Sequence, residues 1–191
     1  MFIKNNLNFI NKKMKKEYLD IVDENDNIIG QETREKIHQD GLLHREIHVY
    51  FITPNKEIVF QRRAKDKDTY PNLLDATVGG HVDLGDNYQD AAIREIKEET
   101  GLKVKIDSLI FLNKVREKLS FDKVTGKTNN AWRENYIYNF NGQLSDLKIE
   151  EGLAIGFESW SVEKLKNITE TEKQKFIPYV IDFVLNNLLD L

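Results

Sequence analysis

Glu95, Glu98 and Glu99 are the residues in this chain whose types and spacing most plainly suit chemistry. On a helix turning about 100° per residue, Glu99 lies about 40° to one side of Glu95 and Glu98 about 60° to the other, so the three carboxylates share one face. Ile93 and Ile96 point away from that face. Three like charges so placed repel one another and weaken the helix unless a cation lies among them. Hard oxygen donors in this arrangement suit Mg²⁺, with Mn²⁺ as a substitute. An E-x-x-E-E run on its own is more often a solvated acidic face, so its surroundings decide.

The surroundings are specific. Gly79-Gly80 precede the helix by a short loop, Arg94 adjoins the first glutamate, and Gly101-Leu102 closes the segment. Asp86 is the expected N-cap, with Gln89 three positions on completing a capping box, and Gly101 sits where a left-handed C-terminal residue is wanted. Gly80, Arg94, Glu95, Ile96, Glu98, Glu99, Gly101 and Leu102 together resemble the Nudix box, G-x5-E-x7-R-E-U-x-E-E-x-G-U, where U is a bulky aliphatic. The isolated glutamate of that box is Asp86 here, one methylene shorter, which puts its contact with Arg94 in question.

The resemblance implies a metal-dependent hydrolase of phosphoanhydride bonds acting on a nucleoside diphosphate derivative or a related small organic diphosphate. It makes Glu95, Glu98 and Glu99 metal ligands, with a backbone carbonyl near Gly79 or Gly80, and it places Arg94 in the catalytic group. Family members draw the general base either from the box or from a glutamate elsewhere; the choices here are Glu98, Glu134 and the pair Glu150-Glu151. Arg62 and Arg63 end a strand just before the box and could clamp phosphate oxygens, and His81 beside Gly80 is a further substrate contact. Trp132, Tyr136, Tyr138 and Phe140 alternate along a strand, a stripe that is more often core than base-stacking platform.

Beyond the box, DENDNIIG, GLLHREIHVYF, QRRAKDKDTYPNLLDATVGGH and GFESW look like the branch that includes type I isopentenyl diphosphate isomerase and related hydrolases. That isomerase uses a cysteine just before the Gly-His pair and a histidine-rich metal site. His44 and His81 match two of its metal histidines, and His38 lies one residue from the spacing of the third. The cysteine position is Gly79, the chain holds no cysteine, and the acidic core that the isomerase breaks is complete here. These departures favour hydrolysis over isomerisation; the Asp86 departure alone leaves a diphosphate-binding module without turnover as a third reading. His44 and His48 share a strand face and are expected to be ordinary hydrogen-bonded residues.

The elements that must position these groups are legible in outline. Hydrophobic alternation predicts a hairpin from Tyr18 to Ile29, paired strands over 47–52 and 57–63, and strands over 102–115, 131–140 and 156–160. Helices are predicted over 33–39, 87–100 and at the C-terminus, where Pro178 fits only the first turn. The apolar stripe of that last helix predicts a cover for the core, with a homodimer contact as the alternative. Residues 1–16 read as a poorly ordered tail, with Met14 a second candidate start, and 17–191 as one domain. The loop 122–130 reads as flexible.

The fold class implied is α+β, a mixed α/β/α sandwich with the Nudix fold and its loop-helix-loop. The 191 residues are 40% apolar and 31% charged, with a net charge of −4. That composition predicts no membrane span, no signal peptide, a cytoplasmic location and a small-molecule diphosphate rather than a nucleic-acid polymer as partner.

Overall fold

The computed structural model describes residues 16–190, apart from 68, 118, 119, 123 and 124. The expected tail therefore lies outside the described residues except for Lys16. Strands β1 (Tyr18–Val22) and β2 (Ile28–Thr33) form the predicted antiparallel hairpin. Helix α1 (Arg34–Asp40) follows directly, with Thr33 as N-cap.

A mixed sheet runs in the order β11-β4-β3-β10-β7 through the middle of the molecule. Its strands are β3 (His44–Ile52), β4 (Glu57–Arg63), β7 (Leu109–Arg116), β10 (Ala131–Asn139) and β11 (Ala154–Ser161). β3 and β10 are parallel, from His44 beside Ala131 to Ile52 beside Asn139. β3 and β4 pair only at Phe51 with Val59 and Ile52 with Ile58, then splay apart. β6 (Val78–His81) takes over the freed edge of β3, and β5 (Leu74–Asp75) that of β4. Thr77 sits where they part: the Phe51 amide donates to its Oγ1 at 2.9 Å, and its hydroxyl donates to the Val59 carbonyl. One side chain thus satisfies backbone groups on both strands that the split would otherwise leave unpaired.

Helix α2 (Tyr88–Thr100) covers one face of the sheet, burying Ala91, Ala92 and Ile96 against Ile47, Val49 and Phe51. The aromatic stripe of β10 belongs to this core: Tyr136 and Phe140 are buried in it, with Trp132 and Tyr138 packed against it. Short helices α3 (Val162–Lys166) and α4 (Glu170–Lys173) lead to α5 (Pro178–Asn187), which covers the other face with Val180, Ile181 and Val184. The arrangement is the expected α/β/α sandwich, and the apolar stripe of the last helix is spent on the core.

Three details differ from expectation. The strand predicted from Leu102 begins only at Leu109, after an irregular stretch and a 3-10 turn at Ile106–Ser108. Within 122–130, β9 (Lys127–Asn129) pairs with β8 (Ser120–Asp122) rather than forming an open loop. The N-cap of α2 is Asn87, whose side chain accepts from the Asp90 amide at 2.9 Å, so Asp86 and Gln89 do not form the capping box. Asp86 lies instead in the preceding turn, its amide donating to the Asp83 carbonyl at 2.9 Å.

Candidate functional site

The splay of β3 from β4 opens a cavity of about 1040 Å³ between these two strands of the sheet. Glu95, Glu98 and Glu99 enter from α2, Gly79 and Gly80 from β6, and Arg63 from β4. Each carboxylate of the trio has a different setting. Glu99 is 3% exposed; Gln61 donates to its Oε2 at 2.9 Å and the Gly79 amide points at the same oxygen. Burial, and the Glu95 charge next to it, push its carboxyl well above the ordinary range. Glu95 lies against Gly80 so closely that a Cβ there would overlap its carboxylate. Burial pushes its pKa up to about 7, against the opposing pull of Arg94. Glu98 is the open member, its side chain 55% exposed.

Arg94 holds this face together. It donates to Glu95 Oε1 at 2.8 Å and to the His81 carbonyl at 2.9 Å, and it lies 3.6 Å from Glu98. On its other side Asp83 stands 3.3 Å away and Asp86 3.8 Å. The box's missing methylene is thus made up by two aspartates sharing one guanidinium. The residues fit a divalent ion: the buried Glu99 and the partly buried Glu95, both pushed toward protonation, gain when a cation takes the proton's place, and Gly80 leaves the backbone room to approach.

The remaining predicted residues divide. Arg63 lines the cavity, braced by Asp75 at 3.0 Å and by the Thr69 carbonyl. Arg62 does not; it pairs with Glu158 and donates to the Asn72 carbonyl at 2.8 Å. Glu134 also lies outside the cavity lining, accepting from the Tyr136 hydroxyl and standing 3.8 Å from Lys114. Glu150 lines the cavity and Glu151 does not. His81 is in the wall, but its company is other histidines.

His38, His44 and His81 place their ring nitrogens within 4.8 Å of one another, forming a cluster able to coordinate a divalent metal. Among the described residues it is the one group of three whose donor atoms converge so tightly, since the glutamates are spread along their wall. His44 and His48 share a face of β3, yet only His44 joins the cluster. His48 packs instead against Gly79, Tyr50 and Tyr179, and burial holds it well below the usual imidazole range.

Several cavity residues carried no sequence signal of their own. Lys67 follows Arg63 along the rim, Arg133 reaches the floor from β10, and Tyr179 comes from α5 with the Arg133 guanidinium 4.8 Å over its ring. Among the described residues, Tyr179 is the only Phe, Tyr or Trp in the lining.

The NUDIX domain family matches residues 42–180, which takes in the sheet, α2 and the cavity. The chain belongs to the Nudix family. An uncharacterized Nudix hydrolase of Listeria monocytogenes is 30% identical over 173 residues, covering 90% of this chain and 93% of that protein. One of Yersinia pestis is 42% identical over 86 residues, 45% of this chain, and the chain spans 47% of its length. The crystal structure of a Deinococcus radiodurans protein superposes with a TM-score of 0.61 at 23% identity, covering 79% of this chain and 87% of that one. The Nudix loop-helix-loop is the Gly79–Leu102 segment, and the architecture around it is that of a Nudix pyrophosphohydrolase domain. No helix among the described residues is long and apolar enough to cross a membrane.

Proposed function

We propose that this chain hydrolyses the phosphoanhydride bond of a nucleoside diphosphate derivative or a related small organic diphosphate, with Mg²⁺ held by Glu95, Glu98 and Glu99. One observation carries the reading: the three glutamates and Gly79-Gly80 line a single cavity together with Arg63, Lys67 and Arg94. When bound, divalent ions offset the charge of the diphosphate and lower the pKa of attached water.

The chain's own residues supply the rest. Arg63, held by Asp75 and Thr69, meets phosphate oxygens as a pre-oriented fork, and Lys67 adds a point charge beside it. Arg94 keeps Glu95 in place through its bond to the His81 carbonyl. Glu98 is favoured over Glu134 as the group that takes the proton of the attacking water, because it faces the cavity and Glu134 is turned to Lys114 and Tyr136. The aromatic stripe of β10 is packed under α2, which leaves Tyr179 as the ring nearest any base.

The test is a panel of nucleoside diphosphate derivatives and small organic diphosphates, assayed with Mg²⁺ and followed by product analysis. Metal-dependent phosphate release is expected, falling at least about a hundredfold in Glu98→Gln and Glu99→Gln. No release across the panel, or release unchanged in both variants, sinks the proposal. Convergence of His38 with His44 and His81 favours an isomerase as second reading. Uptake of deuterium from solvent into isopentenyl diphosphate would support it; the missing cysteine argues against it.

A further inference from the structure

The histidine cluster has a neighbour whose position is unusual. Glu46 lies two residues after His44 on β3 and directly opposite His81 on β6. Its Oε1 is 3.5 Å from His44 Nε2 and 3.8 Å from His81 Nε2. Its other oxygen is already spent: Arg133, in register with it on β10, donates to Oε2 at 2.9 Å and also binds Glu117 at 3.0 Å. The carboxylate is thereby turned so that Oε1 alone faces the imidazoles.

The imidazoles are turned as well. His44 Nδ1 lies 3.0 Å from the Leu42 carbonyl and His38 Nδ1 3.2 Å from the Thr128 carbonyl. A carbonyl only accepts, so each Nδ1 carries a proton, and in the neutral ring each Nε2 presents a lone pair. His44 Nε2 is buried with no hydrogen-bond partner. A lone pair and a carboxylate oxygen facing each other in a buried site repel unless a cation stands between them.

We propose that Glu46 is the fourth ligand of a three-histidine, one-carboxylate metal centre, distinct from the glutamate face of α2, with Arg133 as the residue that orients it. Ligands bound tetrahedrally at about 2.0–2.1 Å stand about 3.3 Å apart. His38 and His81 Nε2 are 3.0 Å apart, Glu46 Oε1 stands 3.5 and 3.8 Å from His44 and His81, and the three histidine nitrogens lie within 4.8 Å of one another, so the donors draw together by several tenths of an ångström when an ion binds. Imidazole with carboxylate selects a borderline transition ion of the Zn²⁺ or Co²⁺ kind over Mg²⁺. Four protein ligands close the shell, so the ion braces the fold rather than presenting water. What it braces is functional: α1, β3 and β6 are joined at His81, whose carbonyl anchors Arg94.

Metal-stripped full-length protein is titrated with Co²⁺ and read by visible absorption. Wild type is expected to take up Co²⁺ with the intense bands of a tetrahedral site, displaced by Zn²⁺ and indifferent to millimolar Mg²⁺. Glu46→Gln weakens Co²⁺ binding at least tenfold and loses that intensity. Zn²⁺ in excess raises the melting midpoint of wild type by about 5 °C or more and leaves Glu46→Gln nearly unmoved. Glu98→Gln keeps the Co²⁺ spectrum while losing hydrolysis, so this centre and the proposed activity fail separately. X-ray absorption of the Zn²⁺-loaded wild type, which needs no variant to fold, is expected to show three imidazoles and one further oxygen. Absence of tetrahedral bands, fewer than three imidazoles, or wild-type affinity in Glu46→Gln overturns the proposal.

Discussion

Glu95 of α2 rests on Gly80 of β6 with no room for a methyl group between them. Gly80 has no positive φ, so backbone conformation does not demand glycine there; the carboxylate does. Gly80→Ala is therefore expected either to push Glu95 off its position or to separate β6 from α2. The cost of such overpacking is about 1–3 kcal/mol, and the Mg²⁺ concentration needed for half-maximal hydrolysis should rise. Gly79→Ala is the control: its Cβ would meet the His48 ring at 3.1 Å, a contact that asks a few tenths of an ångström of its neighbour. Urea denaturation and Mg²⁺ titration of both variants check this. Equal behaviour of the two would mean that the Glu95 to Gly80 approach is unimportant.

The raised carboxyls give stability a sign against pH. Glu95 is pushed up to about 7 from 4.5, and Glu99 is displaced in the same direction. Between 4.5 and about 7 the folded protein holds protons on these carboxyls that the unfolded chain has released, so their contribution to metal-free stability falls as pH rises through that window, while His38, His48 and His81, held below the ordinary imidazole range by burial, contribute in the opposite sense. Mg²⁺ replaces those protons, so its stabilising effect should grow over the same range. Urea midpoints measured across it, with and without Mg²⁺, provide the check, and Glu95→Gln, which removes only a carboxyl contribution, should make the metal-free slope more positive than that of wild type. A metal-free Glu95→Gln protein whose stability follows pH just as wild type does from pH 5 to 7 contradicts this account.

Gln61 holds one oxygen of Glu99 and leaves the other for the cavity. Both side chains are buried, so Gln61→Leu removes an orienting donor without opening the site to water. Losing such a partner typically costs about 10–100-fold in metal affinity or activity. The expected signature is a higher Mg²⁺ requirement with kcat at saturating Mg²⁺ much less affected. Kinetics at varied Mg²⁺ separate this from general damage, which would lower kcat at every concentration.

How far the sequence carried depended on whether partners were close along the chain. Glu95, Glu98, Glu99 and Ile96 lie within five positions, so helical geometry alone divided them into a cavity wall and a core face, as the structure has them. His38, His44 and His81 come from α1, β3 and β6, and they meet only because β6 replaces β4 beside β3 after the splay. That takeover depends on Thr77, which reads in sequence as one more polar loop residue. Glu46 was reachable in principle, since it alternates with His44 and His48, but its importance comes from the cross-strand register with His81 and Arg133. Asp86 failed for a local reason: two cap-competent residues adjoin, and Asn87 takes the cap because Asp86 is drawn into the turn toward Arg94.

That last substitution sets up a quantitative test. The shorter carboxylate at 86 stands 3.8 Å and that of Asp83 3.3 Å from Arg94 Nε, and neither hydrogen-bonds it, so both act as ion-pair partners. Both aspartates are partly exposed, and such ion pairs are worth about 0.2–1 kcal/mol each. Asp86→Asn alone should therefore cost little, because Asp83 keeps the guanidinium in place. Asp83→Asn should cost somewhat more. With both changed, Arg94 has only Glu95, Glu98 and the His81 carbonyl, and it is drawn further onto the glutamates, competing with the cation they would bind. The double variant should then require several-fold more Mg²⁺ than the product of the single effects implies. A double-mutant cycle on Mg²⁺ affinity measures that coupling. Strict additivity would show that the two aspartates act independently, and that Asp86 is not one half of a shared support for Arg94.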